Sequence, residues 1–214
     1  VMEYHSGHRD SWESCYRFIF ENYGYDKYPG VCHIIPNIAV MILALLYGNG
    51  DFSDTLNICN RCGWDTDCNT GNLGTIMGVY CGLSAIDDRK WRKPINDFLA
   101  CSGVLGSLNI MDIPYGASYI AKLAAALAKE ELLEPFSTIC RNRIHSCHFE
   151  YPGSTHAIRV RSEHLHTSDL YPELDYHLVN TDESAATGSR SLKVTANELK
   201  GGENLFIYQK TYYG

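Results

Sequence analysis

Apolar residues change their spacing once along this chain of 214 residues, and the change falls close to Pro135. Before it they recur at the intervals of a helix; after it they alternate, as strand residues do. Trp12, Cys15, Tyr16, Ile19 and Phe20 mark one helical face, closed by Gly24. Ile38, Met41, Ile42, Leu45 and Leu46 mark a second helix that is apolar nearly all round and is therefore expected to be buried. Pro36 fits the first turn of that helix, where its missing N–H costs nothing. Asp54 to Cys62 reads as a third helix with Ser53 as its N-cap, Asn72 to Leu83 as a fourth, and Tyr115 to Glu131 as a fifth. Beyond Pro135, alternation marks His145 to Tyr151, Ala157 to Arg161, Leu174 to Leu178 and Leu192 to Thr195. Close-spaced strands of this kind predict a β-sandwich or jelly roll. The expected fold is thus multidomain: an all-α part over residues 1–135, then an all-β sandwich or jelly-roll-like module over 136–214.

Composition narrows the function classes. With 45% hydrophobic and 20% charged residues, the chain can bury a core. A formal charge of −7 argues against nucleic acid as a partner, because phosphate binding needs a basic face. The longest apolar run, Ile34 to Tyr47, is broken by Pro36 and Asn37 and falls short of the ~20 residues that cross a bilayer, so no membrane partner is expected. Nine cysteines, an odd number, are scattered through apolar runs at Cys15, Cys81 and Cys101. That usage predicts reduced thiols and a cytoplasmic protein rather than a disulfide framework. The sequence starts at Val1 and stops inside the strand-like run Phe206 to Tyr213, so it is expected to be part of a longer polypeptide.

The chemistry is concentrated in Gly63-Trp-Asp65-Thr-Asp67-Cys-Asn69-Thr-Gly71-Asn-Leu-Gly74-Thr-Ile-Met-Gly78-Val-Tyr-Cys-Gly82. Asp65 and Asp67 precede a helix striped with glycines at 71, 74, 78 and 82. Each glycine weakens a helix by about 1 kcal/mol relative to alanine, so the stripe predicts close approach of another backbone and a deeply buried helix start. Two carboxylates there stay ionised only with a cation or with N–H donors from the first helical turn. Oxygen ligands (two Asp, with Thr66 or Asn69) favour Mg²⁺, Ca²⁺ or Mn²⁺ over zinc. Simple helix capping by the aspartates is the competing reading. An EF-hand is excluded: Thr70 and Ile76 occupy the positions where that loop needs Gly and Glu. Cys59, Cys62, Cys68 and Cys81, with His33 upstream, form a second alternative, a structural zinc site.

The same segment resembles the C-terminal metal motif of the ADP-ribosylglycohydrolase family. The resemblance extends to Tyr25-Asp-Lys-Tyr-Pro-Gly30, His33-Ile-Ile-Pro-Asn37, Leu45-Leu-Tyr-Gly-Asn-Gly-Asp51, Trp91-Arg-Lys-Pro-Ile-Asn96 and Ser107-Leu-Asn-Ile-Met-Asp-Ile-Pro114, covering about residues 1–130. It implies an all-α orthogonal helical bundle, present here in part, holding two Mg²⁺ ions. Asp65 and Asp67 would be metal ligands. Cys68, the third candidate metal residue, stands where many relatives place a ligating Thr or Ser; a thiol is a poor Mg²⁺ ligand, so that contact would otherwise come from Asn69, from water, or not at all. His33, Asn37, Trp64 and Asn69 would contact substrate. Such an enzyme hydrolyses the C1″ glycosidic bond of ADP-ribose in an ADP-ribosylated protein or a small nucleoside-like substrate. A Thr-Asp-Asp ligand run and the general base would lie in an N-terminal half outside this sequence, leaving these residues inactive alone. An inactive, crystallin-like or binding descendant of the same fold is the alternative, and Cys68 is the residue that points to it.

Residues 136–214 hold His145, His148, His156, His164, His166 and His177. Without a helical H-x-x-x-H pair, they are expected to be surface histidines rather than a metal site. Tyr151, Tyr171 and Tyr176 are candidates for a sugar-binding face, or for ordinary strand packing.

Overall fold

In a computed structural model, residues 1–30, 32–102, 109–141, 147–164, 176–199 and 201–210 are described. Two compact units result, Val1–Asp87 and Asp88–Gly214.

The first unit is helical. It comprises α1 (Met2–Gly7), α2 (Trp12–Tyr23), α3 (Ile34–Tyr47), α4 (Phe52–Arg61) and α5 (Thr66–Cys81), followed by a short 3-10 turn at Leu83–Ala85. Ser11 starts α2 by accepting the Ser14 N–H, and Gly24 ends it. Helix α3 packs against α2, α4 and α5. Cys15 and Ile19, Val40, Leu43 and Ala44, Leu56 and Cys59, and Leu73 and Met77 form the shared core. In α2 these belong to the face that the spacing marks; in α3 the buried face is that of Val40, Leu43 and Ala44, not the row of Ile38, Met41, Ile42, Leu45 and Leu46.

Four expectations change here. Helix α3 is not buried all round, because Ile34 is 67% exposed and Ile38 and Ile35 are also open. Asp51, not Ser53, caps α4; its Oδ1 accepts the Asp54 N–H at 2.7 Å. Helix α5 begins six residues before Asn72, at Thr66. Its glycine stripe meets no backbone: a Cβ at Gly71 or Gly78 has nothing within 4 Å, and one at Gly74 touches only the Leu56 side chain at 3.9 Å. The close approach occurs instead at Gly48, at the end of α3. A Cβ there would lie 2.8 Å from both the Ala44 carbonyl oxygen and the Thr55 Cα. Gly48 thus lets α4 fold back directly onto α3.

The second unit opens with a π-helical turn, Asp88–Arg92. An antiparallel pair follows, β1 (Phe98–Ala100) with β2 (Ile110–Asp112), then α6 (Ile113–Ala128) and α7 (Phe136–Arg141). Asp112 caps α6 by accepting the Tyr115 N–H at 2.8 Å, and Pro114 sits in its first turn. The strands β3 (Arg159–His164), β4 (Tyr176–Thr181), β5 (Ser191–Ala196) and β6 (Glu203–Tyr208) pair as β3–β6 and β4–β5, both antiparallel. Among the described residues these are separate two-stranded sheets, and they close no barrel. His145, His166 and Tyr171 lie outside the described residues, as do Leu174, Asp175 and the end of the Phe206 to Tyr213 run.

Residues 147–151 form no strand. The N–H groups of His148 and Phe149 are taken by His156 Nε2, both at 3.3 Å, and Phe149 adopts a left-handed φ of 56°. A backbone whose donors are spent this way cannot enter a ladder. His156 itself is 2% exposed, with Nδ1 3.0 Å from Asp112 Oδ1, so it is an interior residue and not a surface one. His148 is half-buried against it, ring to ring at 4.6 Å. Tyr151 packs on Phe136 and shares a 2.9 Å hydrogen bond with Ser118, while Tyr176 donates to the Val160 carbonyl. No helix among the described residues is long and apolar enough to cross a membrane. All nine cysteines are free thiols.

Candidate metal centre

The turn between α4 and α5 is the origin of the site. Gly63 has φ +74° and Asp65 φ +44°, so two left-handed residues flank Trp64 and reverse the chain within three positions. Glycine takes that conformation freely; Asp is among the few other residues that tolerate it. Trp64 secures the turn from outside, with its ring centroid 5.0 Å from Tyr25, 5.4 Å from Tyr16 and 5.8 Å from Phe20. Asn69 secures it from inside: only 2% exposed, it donates from Nδ2 to the Trp64 carbonyl at 2.8 Å.

Asp65 occupies the N-cap position of α5, yet its side chain caps nothing. The carboxylate is turned instead toward α3, where Oδ2 accepts from Asn37 Nδ2 at 2.7 Å. Asn37 is itself 6% exposed and accepts at Oδ1 from the Tyr25 hydroxyl. A relay of Tyr25, Asn37 and Asp65 therefore aims this carboxylate from a neighbouring helix. Capping does not account for Asp65.

Asp65, Asp67 and Cys68 each bring one ligand atom within 4.8 Å of the others. Two ligands at ~2.4 Å from one ion stand at most ~4.8 Å apart, so the span suits a shared cation. Asp65 is half-buried, while Asp67 and Cys68 are exposed, so the helix start is near the surface and not deep in the fold. Hydrogen bonding to Asp65, then the charges of Asp65 and Asp67, pushes the Cys68 thiol above its usual range. Cys32, held at a left-handed φ of 71°, has its thiol raised by loss of hydration, then by the charge of Asp65 and a hydrogen bond to it. Burial, followed by the charges of Cys32 and Asp65, raises Tyr25. The Asp65 charge contributes to all three shifts, leading through its hydrogen bond only at Cys68.

His33 stands just before α3, four positions ahead of the buried Asn37. It caps that helix, its Nδ1 accepting the Ile35 N–H at 3.2 Å, and its ring lies 5.3 Å from Tyr28. The zinc alternative gathers no support: among the described residues Asp65, Asp67 and Cys68 are the sole such group. Cys62 instead donates to the Ile58 carbonyl and Cys81 to that of Gly50, while Cys59 is fully buried. Tyr25 and Cys32 are the participants that spacing does not reveal. Both reach Asp65 only through the folding of α3 against α5.

Two carboxylates and a thiol at the start of one helix, aimed from a second, define a candidate divalent-cation centre on a helical scaffold. Residues 5–134 match the family model of ADP-ribosylglycohydrolase, more than half of the chain, and the chain belongs to that family. The family is generally metal-dependent. No curated protein and no solved structure matches the chain significantly.

Proposed function

We propose that this chain contributes the C-terminal portion of the catalytic domain of a hydrolase that cleaves an N- or O-glycosidic ADP-ribosyl linkage, with Asp65 and Asp67 as ligands in a binuclear Mg²⁺ centre. The observation that carries the reading is the Asp65 side chain, which forgoes its own helix cap and is held by the buried Asn37 with an oxygen within 4.8 Å of one of Asp67. The two carboxylates fit Mg²⁺, a hard ion that takes oxygen ligands; the Cys68 thiol is the member of the trio that does not. When bound, such an ion supplies Lewis acidity toward ribose hydroxyls and water.

The chain's own residues do the placing. Asn37, fixed between Tyr25 and Asp65, sets the direction of the carboxylate. Asn69 and Trp64 hold the turn on which Asp65 and Asp67 are mounted. His33, with Nδ1 engaged by its helix cap, keeps Nε2 as the donor nitrogen it can offer a substrate. Substrates in this reading are ADP-ribosylated proteins or small ADP-ribosyl or nucleoside-like compounds. Residues 1–135 form the family domain, and 136–214 an accessory β module of sandwich type.

Release of ADP-ribose from an ADP-ribosylated substrate by the full-length protein, with and without Mg²⁺, tests the proposal. Asp65→Asn and Asp67→Asn are each expected to lower kcat by about 100-fold or more. Unchanged turnover in Asp65→Asn overturns the assignment. Divalent-ion binding without any ADP-ribose release instead favours a descendant that kept the fold and lost turnover.

A further inference from the structure

The donor set at the start of α5 disagrees in one atom with the ion proposed for it. Magnesium dehydrates reluctantly and takes oxygen, whereas thiolate sulfur selects zinc-like ions. Cys68 is exposed, on the same turn as Asp67, with its sulfur inside the 4.8 Å cluster. Its situation differs from that of the other thiols. Cys15, Cys59, Cys62 and Cys140 are buried, and Cys81 donates to a backbone carbonyl. Among the described residues no other cysteine shares a cluster with two carboxylates. Asp65 cannot swing away to leave the thiol alone, because Asn37 holds it from α3 at 2.7 Å.

We infer that Cys68 makes this centre a binding site for a thiophilic divalent cation of the Zn²⁺ or Cd²⁺ class, which competes with Mg²⁺ for Asp65 and Asp67. The inference rests on the metal-centre reading above and adds a regulation to it: the thiophilic ion displaces the hard one. On binding, the Cys68 S–H bond breaks, its proton passes to solvent, and a sulfur–metal bond forms; nothing is oxidised or reduced. Zn²⁺ and Mg²⁺ then share two ligands, and only the third distinguishes them. The consequence is an ion preference written by one side chain.

The test uses Cd²⁺ as the probe on the 214-residue chain, reading the ultraviolet charge-transfer band of a cadmium–thiolate bond. Wild type is expected to show a band that saturates near one equivalent and shrinks as Mg²⁺ is added in excess. Cys68→Ser should weaken Cd²⁺ binding by about 100-fold without weakening Mg²⁺ binding, because it exchanges the sulfur for an oxygen ligand. Cys101→Ser, at an exposed thiol elsewhere, should leave the band intact. Circular dichroism checks that each variant keeps its helices. A band that survives Cys68→Ser, or that Mg²⁺ cannot diminish, overturns the inference while leaving the carboxylate site standing. Binding of both Mg²⁺ and Cd²⁺ that is indifferent to Asp65→Asn and Asp67→Asn overturns the metal-centre reading as well.

Discussion

Two polar clusters in this molecule use the same kinds of residue to opposite ends. In the first unit, Asp65 and Asp67 stand near the surface with Cys68, and Asp65 is met by one amide donor, from Asn37, and otherwise by the weakly donating thiols of Cys32 and Cys68. In the second, Asp97 and His156 are buried and heavily engaged. Asp97 Oδ2 accepts the N–H of Thr155 at 2.6 Å and of His156 at 3.2 Å, while His156 bonds Asp112 on one nitrogen and two backbone N–H groups on the other. Burial forces a polar group to find protein partners, and groups so occupied have no capacity left for a ligand. The lesson is that the less satisfied cluster is the one with chemistry to offer, and the more satisfied one is a fastening.

Substitutions can break this contrast. The largest effect is expected at His156→Ala, which strips two backbone donors and Asp112 of their common partner. Urea unfolding of the second unit should show a loss of about 3 kcal/mol. A change below about 1 kcal/mol would mean that the fastening is idle.

Acid should loosen the same region next. His148 is pushed down to about 4 by loss of hydration, then by its neighbour His156; Asp112 and Glu150 pull the other way. A group with a depressed folded value contributes stability that is present above the unfolded value of about 6.5 and is lost as pH falls toward 4. Unfolding midpoints measured between pH 7 and 4 should decline by on the order of 2 kcal/mol, and His148→Leu should flatten that decline. The first unit provides the internal control.

At the Asp65 cluster the expected cost is smaller. Asn37→Ala removes the relay between Tyr25 and Asp65 and should destabilise the first unit by about 1–2 kcal/mol. It should also weaken divalent-ion binding, because the carboxylate loses its aim. Retained affinity in that variant would show that Asp65 is pointed by its backbone alone.

The smallest effect carries the opposite sign. Gly78→Ala places a methyl group in open space on α5, so it should raise stability by about 0.5–1 kcal/mol through helix propensity alone. A loss would reveal a contact on that face.

Much of the helical unit was legible in the sequence. Trp12, Cys15 and Ile19 announce α2, and Ser11 and Gly24 bracket it through local hydrogen bonding and backbone freedom. The start of α5 was not legible, because Thr66 to Gly71 carry no apolar period and Asp65 enters the helix from a left-handed conformation. Glycines 71, 74 and 78 suggested a tight interface, but composition cannot tell a packed smooth face from an open one. In the second unit, alternation at Ala157 to Arg161 and Leu192 to Thr195 marks strands, found at Arg159–His164 and Ser191–Ala196, without stating which pairs with which. The interior role of His156 depends on Asp112, 44 positions earlier, and no local pattern encodes it. The aspartate pair was readable as a candidate, while Tyr25 and Cys32 join it only through tertiary contact.

Asn37 and Asp65 lie 28 positions apart on separate helices, so their bond exists only once α3 and α5 have docked. An ion that prefers the aimed carboxylate therefore recognises the native packing and ignores the unravelled chain. Its concentration must then raise the melting temperature of the helical unit, following the logarithm of occupancy. For this protein a thermal melt recorded across a metal series doubles as a titration.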